Sequence, residues 1–220
     1  ENIELPHSVK NIMRHAFAGT SIRELDLTNV AFIDMDAFSM SKVERIVLGE
    51  NFKTPRSHML NRCFALRYLY ITDSVTEVEG WGPEFAEQTT IPFIHVSSKL
   101  IKGLDDENKL NALATFIQTQ DDYSEEGRKS WLTYIKRYKV NLLKLCIDGR
   151  RCELYREMLD MASLSEANVA EIKEYIKDNV YENPERFYVD TLVPTVSVTK
   201  KSTKKSTGTI LAQLIDSIPK

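Results

Sequence analysis

Apolar positions in the first hundred residues recur in short triplets rather than in long stripes. Ile3-Glu4-Leu5, Leu25-Asp26-Leu27, Ile46-Val47-Leu48 and Leu69-Tyr70-Ile71 share the arrangement apolar-x-apolar, and their starts lie 22, 21 and 23 residues apart. A period of two is the mark of a strand with one buried face, so each triplet predicts a very short strand. Another apolar position follows, at Ile12, Ile33 and (as proline) Pro55, then a pair: Ala16-Phe17, Ala37-Phe38 or Met59-Leu60. Ile22, Val43 and Leu66 close the units. Gly19-Thr20-Ser21 and Ser39-Met40-Ser41 fall where the chain must turn, and small or polar residues favour corners. One such unit cannot bury its apolar side alone, whereas stacked units share a continuous core. The pattern therefore predicts an α/β solenoid whose coils have Leu-x-Leu on one wall and Ala-Phe on another. The segment EGWGPEFAEQTTIPFIHV, residues 79 to 96, predicts a closing short helix and a final strand near Ile91 to Val96.

The period changes after Gly103-Leu104. Asp105-Asp106-Glu107 is an acidic start suited to a helix N-terminus, and Leu110, Leu113, Ala114 and Ile117 then share one face. Ser124 is placed to cap a helix from about Glu125 to Asp148, with Trp131, Ile135, Tyr138, Leu142 and Cys146 at three- and four-residue spacing. Gly149 predicts its end. A second helix follows in CELYREMLDM, and a third after Ser165, lined by Val169, Ile172, Tyr175 and Ile176. A further helix is expected around Glu185 to Leu192, with Pro184 at its first turn. TVSVTKKSTKKSTG reads as a linker, and TILAQLIDSIPK as a short terminal helix. The expected organisation is a solenoid over 1–103, an all-α helical-repeat domain over 104–194, and a linker with terminal helix over 195–220.

Residues 3 to 17, IELPHSVKNIMRHAF, resemble the unit of the BspA-type bacterial leucine-rich repeat: apolar-x-Leu-Pro-x-Ser-Val, then Ile, then Ala-Phe. The second unit keeps Ile33 and Ala37-Phe38 but loses the Pro-x-Ser-Val segment, and the third has drifted further. The array starts in mid-register, so more repeats are expected before Glu1. The helical half is similar to degenerate ankyrin-type helix pairs but lacks their Thr-Pro-Leu-His, and a generic helical bundle is the competing reading. The resemblances imply a bacterial interaction scaffold, with a protein partner as the expectation and no cofactor.

Composition adds bounds. With 42% apolar and 28% charged residues and a net charge of −3, nothing global favours nucleic acid or an acidic membrane. No apolar run approaches the roughly 18 residues of a membrane-spanning helix. Cys63, Cys146 and Cys152 are too scattered for a disulfide framework or metal knuckle. They favour a reducing, cytoplasmic compartment; export to the cell surface would need a signal upstream of Glu1. His7, His15, His58 and His95 lack helix-spaced partners, Asp34 and Asp36 lack the continuation of a calcium loop, and Cys63 with His58 sits in a repeat corner. No nucleophile elbow, phosphate loop or dinucleotide fingerprint occurs. The expectation is a non-enzymatic module.

What remains is surface. Outward strand positions stack into two columns, Asn2, Glu24, Arg45, Tyr68 and Glu4, Asp26, Val47, Tyr70. Tyrosines beside acids and an arginine are residue types that make binding hot spots, and solenoids use extended concave faces to bind. Tyr68 and Tyr70 equally suit the task of covering the junction with the closing segment. A second candidate is basic: Lys129, Lys136, Arg137 and Lys144 on the long helix, with Lys200, Lys201, Lys204 and Lys205 in the tail. Such a ridge suits phosphates and would make a nucleic-acid-associated protein; a surface adhesin is a third reading.

Overall fold

The structure, a computed structural model, describes residues 3–56 and 58–179. Four strands, β2 (Glu24–Leu27), β4 (Arg45–Leu48), β6 (Tyr68–Ile71) and β7 (Phe93–His95), form a parallel sheet in that order. Their register is strict: Leu25 pairs with Ile46, Leu69 and Ile94 in turn, and Leu27 with Leu48 and Ile71. All seven of these side chains are buried. A second wall consists of two-residue strands, β1 (Asn11–Ile12), β3 (Phe32–Ile33) and β5 (Thr54–Pro55), also parallel. The two parallel walls make a β-solenoid of about four turns over residues 11–95, followed, among the described residues, by four α-helices.

The Ala-Phe segments stack as a third side. Phe17 N–H donates to Ala37 O at 2.8 Å, Asp36 N–H to His58 O at 3.1 Å, and Leu60 N–H to Phe85 O at 2.8 Å. Ala37, Phe38, Met59 and Leu60 are buried, while Ala16 is exposed and Phe17 half-buried. Each coil turns this side with two left-handed residues at matching positions: His15, Asp36 and His58, then Gly19, Met40 and Arg62. Only one of the six is a glycine, so most coils accept a strained residue where the corner demands positive φ.

One expected strand does not form. Ile3–Leu5 carries no strand and Ile3 is exposed. The chain turns just after this segment, Val9 N–H donating back to Pro6 O at 2.9 Å.

The closing end matches the expectation, with a 3-10 helix at Pro83–Ala86 burying Phe85, and then β7. Helix α1 (Asp106–Gln118) packs on β7 and is capped by Asp105, whose carboxylate accepts from Asn108 N–H. Leu110 and Leu113 of the expected apolar face are buried, but the buried face is rotated from the one expected. Ala114 and Ile117 are half-exposed, and Asn108, Asn111 and Thr115 point inward beside Leu110, Ala112, Leu113 and Phe116. Asn108 Oδ1 accepts from Ile91 N–H (2.9 Å) and its Nδ2 donates to Thr89 O (3.0 Å). Asn111 Nδ2 donates to Ile91 O (3.0 Å), and Thr115 Oγ1 accepts from Ile94 N–H (3.1 Å). Spacings of three and four put these groups on one helix face. There they satisfy backbone that a further coil would otherwise pair.

Helix α2 (Glu125–Asp148) begins as expected at Ser124, whose Oγ accepts from Gly127 N–H at 3.0 Å. Asp73 accepts in turn from Ser124 N–H and O–H, at 2.9 and 2.6 Å. Trp131 stacks on Phe116 (4.9 Å) and donates to Val96 O (2.9 Å). Ile135, Leu142 and Cys146 are buried, but Tyr138 is 38% exposed. Leu143 and Ile147 widen the buried stripe on its other side, leaving Tyr138 at the margin, tilted against Tyr134. The helix ends in a Schellman turn, Arg150 N–H to Ile147 O and Arg151 N–H to Cys146 O. Arg150, not Gly149, takes the left-handed conformation there.

Helices α3 (Cys152–Met161) and α4 (Glu166–Asn179) follow, burying Leu154, Tyr155, Met158, Leu159, Val169, Ile172 and Ile176. Ser165 caps α4 reciprocally with Asn168. Compactness divides the chain between Leu132 and Thr133, inside α2, whereas composition changes at 103/104; α1 belongs with the coils. The helix expected at 185–192 and the segment 195–220 lie outside the described residues.

Candidate interaction surface

The register of the four-stranded sheet decides which side chains face outward together. One column reads Glu24, Arg45, Tyr68 and Phe93; the other reads Asp26, Val47, Tyr70 and His95. Six of the seven partner-binding residues expected from sequence, Glu24, Asp26, Arg45, Val47, Tyr68 and Tyr70, thus meet on this face. Glu4 is not brought to it, because no strand carries Glu4, and Asn2 lies outside the described residues.

The first column is a continuous stack. The Arg45 guanidinium lies 4.9 Å from the Tyr68 ring centroid, and Tyr68 lies on Phe93 at 4.3 Å and 8°. In the second, Tyr70 stacks on His95 at 4.2 Å, and His95 on Tyr123 at 3.8 Å. The two tyrosines therefore cover the closing strand while remaining half-exposed. Phe93, His95 and Tyr123 are the members that sequence reasoning missed. The alternation Phe93-Ile94-His95 after Tyr68-Leu69-Tyr70 was the available signal, obscured by a longer interval before the last strand.

Electrostatics differ along the face. The Asp26 carboxyl is held below the usual range, chiefly by the Thr28 backbone N–H, which donates to it at 3.0 Å. His95 is 1% exposed, and neither ring nitrogen has a hydrogen-bond partner. Burial pushes its pKa down to about 4, against the opposing pull of Asp73 and Asp122, so it is neutral at pH 7. Burial first, then Asp73, Tyr68 and Asp122, raise the Tyr70 hydroxyl.

The basic candidates are less concentrated than their spacing implied. Lys129, Lys136 and Arg137 are exposed on α2, but Lys144 is half-buried, bonded to Glu171 at 2.8 Å and set over the Tyr175 ring. Arg128 pairs with Asp121 at 3.3 Å. Carboxylates thus interleave with the cations. Among the described residues, no group of three or more His, Cys, Asp or Glu is placed to hold a metal ion, and no helix is long and apolar enough to cross a membrane.

A family model described as the BspA type leucine rich repeat region matches residues 1–91, in six copies. These residues are a BspA-type leucine-rich repeat array. No curated protein and no solved structure matches the chain. Leucine-rich repeats generally serve as surfaces for protein–protein interaction. In this array α1 packs against the far end of the main sheet.

Proposed function

We propose that the leucine-rich repeat array is a non-enzymatic protein-binding module whose working surface is the outward face of the β2-β4-β6-β7 sheet. The observation that carries this reading is the pair of columns itself. Aromatic rings, an arginine and two carboxylates stand in register on a backbone already fixed by ladder hydrogen bonds. Binding on such a surface orders little that is not already ordered, so more of the contact energy remains as affinity. Glu24, Asp26, Arg45, Val47, Tyr68 and Tyr70 are the proposed contact residues. The helices after the array are proposed as degenerate ankyrin-type pairs that serve as scaffold.

A photo-crosslinking amino acid at position 68 tests this, with position 40, a corner residue, as control. Crosslinks to protein formed from 68 and not from 40 support the reading. Nuclease-sensitive, salt-sensitive recovery, reduced by neutralising Lys136 and Arg137 and indifferent to position 68, would overturn it in favour of nucleic acid.

A further inference from the structure

The proposed binding face has a chemical bias that its fold does not require. Along the second column, Asp26 stands at one end, and at the other Asp73 and Asp122 act on both Tyr70 and His95. The first column adds Glu24. Arg45 is the single cation among the outward strand positions, and its neighbour Arg23 is paired with Glu44. His95 brings no compensating charge, being buried and without a hydrogen-bond partner between two tyrosine rings. Between the acidic ends lie the half-exposed rings of Tyr68, Tyr70 and Phe93. The protein itself shows what such a ring accepts here, because the Arg45 guanidinium already rests on Tyr68.

We infer that the occupant of this face is an extended, arginine-bearing polypeptide segment, its guanidinium groups seated on the tyrosine rings and paired with the carboxylates at either end. The inference rests on the interaction reading above and gives it a partner class. A flat guanidinium satisfies both parts of the surface at once, stacking on a ring while its edge donates to a carboxylate. Adjacent strands lie about 4.8 Å apart, so three intervals from β2 to β7 span roughly 14 Å. An extended chain covers that in about four residues, with alternate side chains on one side. Arginine at every second position therefore meets the face two or three times. A phosphate backbone would meet Glu24, Asp26, Asp73 and Asp122 instead, which argues against nucleic acid at this site.

The test uses the full chain and three fluorescein-labelled octapeptides, (Gly-Arg)4, (Gly-Lys)4 and (Gly-Glu)4, read by anisotropy. Asp26→Asn with Asp122→Asn removes one carboxylate from each end, and Tyr70→Leu keeps cover over His95 while removing the π face. Near- and far-UV circular dichroism verifies folding of each. The inference requires (Gly-Arg)4 to bind, more tightly than (Gly-Lys)4, and to weaken about tenfold in the double variant and severalfold in Tyr70→Leu. Binding of (Gly-Glu)4 that is lost in Tyr70→Leu would overturn the arginine assignment and leave the face as an interaction surface. Peptide binding indifferent to all three substitutions would overturn both.

Discussion

Replacing Asn108 by leucine isolates the energetics of the seal at the end of the array. The side chain is 1% exposed, and leucine keeps its heavy-atom count and branching while being bulkier, so the change removes polarity and adds some overpacking. Ile91 N–H loses its acceptor at 2.9 Å and Thr89 O loses its donor at 3.0 Å, and both are at buried residues. Each orphaned buried group costs about 1–3 kcal/mol, so the loss from the two should be about 2–6 kcal/mol. That is a large share of the roughly 5–15 kcal/mol that holds an ordinary domain together. Thr115→Val removes only the acceptor for Ile94 N–H and should cost about 1–2 kcal/mol, with Thr115→Ser recovering most of it. Urea unfolding followed by tryptophan fluorescence measures the loss, since Trp131 is buried against Phe116 in the same unit. Amide exchange at Ile91 and Ile94 localises it. An Asn108→Leu protein within 0.5 kcal/mol of wild type, with Ile91 still protected, would refute the claim that α1 side chains stand in for a missing strand.

Three further outcomes follow from the geometry. The unfolded imidazole of His95 takes up its proton near 6.5 and the folded one only near 4, so the unfolded chain binds more protons in between and stability falls as pH drops through that window. The loss should total about 3 kcal/mol by pH 4 and be absent from His95→Phe, compared by urea midpoints at several pH values; Tyr70, Tyr123, Asp73 and Asp122 face the ring and stay in both proteins. Arg150→Gly should raise stability by up to about 1 kcal/mol, because glycine holds φ of 55° without the Cβ clash; a fall in melting temperature would contradict the Schellman assignment. In the native protein iodoacetamide should label half-exposed Cys152, while Cys63 and Cys146, buried with thiols pushed up to about 12 by desolvation, react only on unfolding, as peptide mass spectrometry will show.

The walls of the solenoid were legible because they rest on short-range alternation. Leu25, Ile46 and Leu69 carry the same signal three times, and stacking amplifies it. Ser124 and Ser165 were readable as caps for a similarly local reason, a hydroxyl placed for the amide three residues on. The seal was not legible. Asn108, Asn111 and Thr115 look like the solvated side of α1, and only the backbone groups left open at Thr89, Ile91 and Ile94 give them a reason to turn inward. The corners were half-legible: small residues at 19–21 and 39–41 marked the turns, but Met40 and Arg62 adopt positive φ because the stacked coil imposes it, not because their chemistry favours it. Tyr68 and Tyr70 were found by register, while Phe93 and His95 escaped because the last interval is longer than the rest. The strand expected at Ile3–Leu5 does not form, and the chain turns at Pro6–Val9 directly after it.

An exposed edge of parallel strand is a template on which another chain can crystallise, and a repeat protein grows such an edge with every coil it adds. In this array the edge at β7 is met by the Thr115 hydroxyl of α1, and the backbone just before it, at Thr89 and Ile91, by the Asn108 and Asn111 amides, rather than by more backbone. Side chains carry no further donors and acceptors in strand register, so polymerisation has nothing to copy at that end. The same arrangement makes length a free variable. A coil of 21 or 22 residues duplicated between β4 and β6 would shift the seal outward intact, so arrays of different reach can share one terminus.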